Sequence, residues 1–171
     1  MISAAILAQS IRYVESLDLC GKERLSDDIF IKQPNLLSVV LCLSRLDVPM
    51  DKLGEVLHIL FVLYDAFHNR SGLKIPKVSQ RMIDKANANT TAMLQYLDKE
   101  GAYEGNRLIG KAMLNSPNKF VTAFVLGYMN EHGFDTFSQA NEYCIRAAKV
   151  VMDCFIEAGE SVKNGKPAKR R

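Results

Sequence analysis

The stretch Leu53–Arg70, "LGEVLHILFVLYDAFHNR", decides the fold class. Leu53, Leu57, Leu60, Tyr64 and Phe67 recur at helical spacing, and Val56, Ile59 and Leu63 widen that face. The segment is too long to be a strand, and it predicts a helix with apolar residues nearly all round. A helix of that kind needs neighbours on several sides. The expected architecture is therefore a compact bundle rather than an extended solenoid.

The same stretch carries Glu55 three residues before His58, and Asp65 three before His68. Acid-x-x-His is how di-metal carboxylate bundles present ligands. On a wheel with Glu55 at zero, His58 falls at roughly 300°, Asp65 at roughly 280° and His68 at roughly 220°. Glu55, His58, Asp65 and Asn69 form the one polar strip, while His68 is displaced towards Leu57 and Phe61; a polar strip on an apolar helix is expected to be its solvated face. Di-metal bundles need Glu-x-x-His on two helices, and this chain has it once. His58 and His68 are separated by roughly 15 Å of rise, so they cannot share one ion unaided. Glu55, His58, Asp65 and His68 are weak metal candidates, and the expectation is no metal. The third histidine, His132, sits in "NEHG", where interaction with a helix terminus is expected.

Outward from this helix the chain reads as further helices. A first is expected over about 2 to 20, stopped by Gly21, with "KERLSDDIFIKQ" as a polar connector. Pro34 opens a second that ends near "DVP", and the helix of the quoted stretch begins near Met50 or Asp51. Gly72 ends that one, and Pro76 opens a polar fourth helix reaching about Lys99. A short fifth is expected over about 104 to 114. Ser116 with Pro117 marks the start of a sixth, which stops at Gly133. The last begins near Thr136 or Ser138 and runs to about Val162. No strand alternation, hairpin dipeptide or internal repeat is visible. The expected fold is all-α, a compact bundle of six or seven helices with a long, largely buried C-terminal helix.

That last helix carries a seam: Phe137, Ala140, Cys144, Ala147, Val151, Cys154 and Ala158, spaced alternately three and four apart. Ile145, Ala148, Met152 and Phe155 form a second row. Either the helix is central and contacted from several sides, or one row lies inside the monomer and the other makes a dimer. Both arrangements suit small seam residues, which let helices approach closely.

The 171 residues suit one domain, expected over 1–162. The net charge is +3, but the last nine residues, "KNGKPAKRR", hold five cations and no acid. The rest of the chain is slightly acidic. Residues 163–171 read as a basic disordered tail, in which Lys163, Lys166, Lys169, Arg170 and Arg171 give a possible electrostatic contact with nucleic acid. The tail has no aromatic residue to stack on bases.

Cys20, Cys42, Cys144 and Cys154 make no C-x-x-C pair and read as reduced thiols. The N-terminal segment lacks a basic start, so the expected compartment is the cytoplasm. No apolar run reaches the roughly 18 residues of a membrane span. Gly105, Gly110 and Lys111 approach a phosphate-binding loop, but Ala112 stands where a hydroxyl residue is needed. No cofactor is expected.

The expected function is a non-enzymatic binding or regulatory module, self-associating through its apolar helices or holding a protein partner. One alternative is a nucleic-acid-associated protein using the tail. The other is a metal-binding or enzymatic bundle using the polar strip.

Overall fold

Helices form where short side chains cap their first amides and apolar residues repeat behind the cap. The computed structural model describes residues 2–95, 116–134 and 138–165. In the first helix, α1 (Ala4–Ser16), the hydroxyl of Ser3 accepts from the amide of Ile6. Leu17 and Asp18 then leave the helical region, and the Asp18 carboxylate accepts from the amide of Gly21 to start α2 (Leu19–Lys32).

The single helix expected over 2 to 20 is thus two, and the expected connector "KERLSDDIFIKQ" is helical. Gly21 is not a terminator. It lies in the first turn of α2 against Leu17, where a Cβ would come within 2.9 Å of the Leu17 side chain. Gly21, Leu25 and Ile29, four apart, form the buried edge of α2.

Pro34 opens α3 (Pro34–Leu41), which tightens into a 3₁₀ turn over Cys42–Arg45. The quoted stretch forms α4 (Met50–Tyr64), whose last turns, Asp65–Arg70, widen to π-helical geometry. A further helix, α5, occupies residues 80–95 among those described. It does not begin at Pro76 as expected. Gln33 holds 76–78 in a non-helical path: its amide nitrogen donates to the Pro76 carbonyl and its oxygen accepts from the Val78 amide. Asn35 donates to the Val78 carbonyl at 2.9 Å.

The short helix expected over about 104 to 114, the near-miss loop of Gly105, Gly110 and Lys111, and the end of α5 lie outside the described residues. α6 spans Lys119–Glu131, two residues later than its expected start. The Ser116 hydroxyl accepts from the Asn118 amide, so Ser-Pro builds a turn before the helix rather than its cap. Gly133, at φ +74°, ends α6, and the Phe134 amide folds back onto the Met129 carbonyl. Ser138 caps α7 (Gln139–Lys163) by accepting from the Asn141 amide.

The fold is all-α, with seven helices and no strand among the described residues. None of these helices is long and apolar enough to cross a membrane. α4 is the hub, touching α1, α2, α3 and α7. Ile59, Leu60, Leu63, Tyr64 and Phe67 are fully buried in the same core as Met152 and Phe155 of α7. Phe67 stacks on Phe155 at 5.3 Å between ring centres, and its edge lies where a Cβ on Gly159 would stand 3.0 Å away.

Gln33 is only 1% exposed, so its bonds to Pro76 and Val78 are made away from water. Gln33→Leu is expected to lower the unfolding free energy by about 2–5 kcal/mol, because a buried amide and a buried carbonyl lose their partners. Urea unfolding of the variant against wild type measures this.

Candidate functional site

The polar strip of α4 is solvated only in part: Asn69 is exposed and Glu55 and His58 are half-buried, but Asp65 is buried. Asp65 is 2% exposed. Its carboxylate accepts from Asn69 at 3.0 Å and forms an ion pair with Arg70. The Arg70 guanidinium lies over the Tyr13 ring of α1 at 5.3 Å. The pairing joins residues five apart, which the widened turn at 65–70 brings together. Asp65 is therefore a structural anchor between α4 and α1.

The structure divides the four weak metal candidates among three surroundings. Glu55 and His58 meet α6. Tyr128 donates its hydroxyl to Glu55 and lies between two imidazoles, 5.0 Å from His58 and 3.9 Å from His132 by ring centres, both nearly parallel. His132 does sit at the helix terminus: its Nδ1 lies 2.8 Å from the Tyr128 carbonyl, while Nε2 is 3.8 Å from Glu55. The buried Nε2 of His58 has no hydrogen-bond partner among the described residues.

His68 goes elsewhere. It stacks on Tyr64 at 4.6 Å, meets Phe155 edge-on, and its Nε2 lies 3.0 Å from the side-chain nitrogen of Gln33. Tyr64 in turn donates to Asp28 of α2. Among the described residues no three His, Cys, Asp or Glu side chains converge to hold a metal ion. Sequence reasoning missed Tyr64, Tyr128 and Gln33. No spacing within the chain announces them, because each acts across a helix–helix contact.

Electrostatics follow from burial. Burial holds the His58 imidazole below its ordinary pKa, helped by Lys22 and His132 and opposed by Glu15 and Glu55. Burial, with Lys32, pushes His68 down to about 4 against the pull of Asp28. Burial and the bond to Glu55 push Tyr128 up, and burial and Asp28 do the same to Tyr64. Burial tends to raise the Asp28 carboxyl, but its bonds from Tyr64 and Lys32 outweigh that and hold it low. Stacking and hydrogen bonds commit His58, His68, Tyr64 and Tyr128 to contacts that brace the helices.

The α7 seam is consumed within the chain. Cys144, Ala147, Val151, Cys154 and Ala158 are buried, as are Ala148, Met152 and Phe155 of the second row. Ala140 and Ile145 are partly buried and pack against the same core. Phe137 lies outside the described residues. Among the described residues neither row has an exposed member, so a partner surface is sought away from α7. Of the basic tail, Lys163 is the last residue of α7, and Lys166, Lys169, Arg170 and Arg171 lie outside the described residues.

Two outcomes are expected. His68 prefers the neutral form in the fold, so between pH about 6.5 and about 4 the unfolded chain binds more protons and stability falls as pH falls. Urea midpoints at pH 7 and pH 5 should differ less for His68→Phe than for wild type. Burial pushes the Cys144 thiol up to about 11 and Cys154 to about 12, whereas Cys20 and Cys42 are exposed. A thiol reagent should modify two cysteines of the native protein rapidly and the other two only on unfolding.

No family model, curated protein or solved structure matches this chain.

Proposed function

We propose that the chain is a non-enzymatic helical-bundle module that works through protein binding, by self-association first of all. The observation that carries this reading is the distribution of large apolar side chains on the surface. Leu19, Phe30, Ile31 and Met50 are 73%, 66%, 71% and 73% exposed. Single exposed apolar residues are ordinary. Phe30 and Ile31, however, are adjacent and share α2 with Leu19, while the buried edge of that helix is already formed by Gly21, Leu25 and Ile29.

The helices that were expected to mediate association, α4 and α7, have no apolar face to spare. The candidate surface therefore moves to α2 and to the link between α3 and α4, where Leu41 and Leu46 are also exposed. The histidines favour a binding role over an enzymatic one, since each is committed to stacking within the bundle.

Sedimentation equilibrium over a hundredfold range of concentration tests the reading. The apparent mass is expected to rise towards twice that of one chain. A mass that stays at one chain throughout would remove self-association.

A further inference from the structure

The exposed arc of α2 has an order that a random solvent face would lack. With Leu19 at zero on the wheel, Phe30 lies at roughly 20° and Glu23 at roughly 40°. Asp27 follows at roughly 80°, Cys20 at roughly 100°, Ile31 at roughly 120° and Arg24 at roughly 140°. All of these are exposed. Along the axis the apolar residues stand at the two ends and the charges in the middle. No ion pair or hydrogen bond among the described residues engages Glu23, Arg24 or Asp27.

We propose that this arc is the self-association surface, and that its occupant is the same arc of a second copy, packed antiparallel across a twofold axis near Leu25 and Ser26. The proposal rests on the self-association reading above and names its surface. An antiparallel twofold pairs each residue with one at the mirrored level and keeps each edge of the arc facing its own copy. On one edge Leu19 then meets the partner's Phe30. On the other, Cys20 meets the partner's Ile31. From the outer side of that second edge, midway along the helix, Arg24 reaches the partner's Asp27, and every contact occurs twice.

A parallel pair is disfavoured by the same list. Its twofold runs along the helices and sets Asp27, at the middle of the arc, on its own copy, and like charges placed together are costly. Glu23 is the one charge on the arc with no opposite number, and it limits how tightly two copies hold. The neighbouring face of α2 takes no part, since Lys32 and Asp28 already pair with each other.

Cys20 supplies the test. Cys42, the other exposed thiol, is first replaced in a Cys42→Ser parent. Ile31→Cys is then added. Within one chain the two positions lie eleven residues apart, roughly 16 Å along the helix, beyond the reach of a disulfide. Across the proposed twofold they are opposite one another.

Mild oxidation is expected to convert most of this variant into a dimer that reductant dissolves, while the parent, with Cys20 alone, stays uncrosslinked. Arg24→Glu is expected to weaken association at least tenfold in sedimentation equilibrium, and adding Asp27→Arg to restore it. A wild type that dimerises but whose variant fails to crosslink, or is indifferent to Arg24→Glu, overturns the α2 surface and leaves self-association standing. A wild type that is monomeric throughout overturns both.

Discussion

The bundle depends on the crossing of α4 and α7, where Phe67 stacks on Phe155 above Gly159. Close approach requires one partner to be small at the contact, and α7 provides it with Gly159 and Ala158. Two helices that meet this closely bury their most apolar faces against each other and still leave flanks to cover. α1 and α3 cover those of α4, and α6 and α3 lie against α7. The remaining helices are arranged by what this pair leaves uncovered.

That constraint explains why the polar residues of α4 behave as they do. A helix enclosed on most sides cannot send every polar group to water. Asp65 takes Arg70, and Arg70 takes the face of Tyr13. Glu55 takes Tyr128. His68 is stacked, and Gln33 comes from α3's start to meet it while also holding Pro76 and Val78. Buried polar groups are tolerated when their bonds are made, and here those bonds fix which helix lies against which.

The sequence made the apolar helices readable because periodicity reports burial directly. The burial of α4 and the span of α7 follow from it. The break at Leu17 and Asp18 was not readable in the same way. It has no proline or glycine at the turn, and its mark is an aspartate three residues before a glycine, a signal shared with many uninterrupted helices. The polar strip was found but misplaced. Its wheel assumed an even 100° per residue, while residues 65–70 follow a wider turn, and that turn makes the Asp65–Arg70 pair possible. The partners Tyr128 and Gln33 belong to other helices, and only the tertiary arrangement brings them in.

The two tyrosines held by carboxylates have an optical meaning. The chain has no tryptophan and six tyrosines, so its near-ultraviolet absorption is essentially phenolic. Tyr64 sits at the junction of α4 with α2, and Tyr128 at that of α4 with α6. Both phenols are kept protonated well beyond their ordinary range by burial and by the acid each one serves. Because the fold favours the protonated phenol, stability is lost as pH rises past about 10, where an unfolded tyrosine ionises. In alkali each junction therefore carries its own chromophore: the ionisation of Tyr64 and Tyr128 reports α2 and α6 leaving α4.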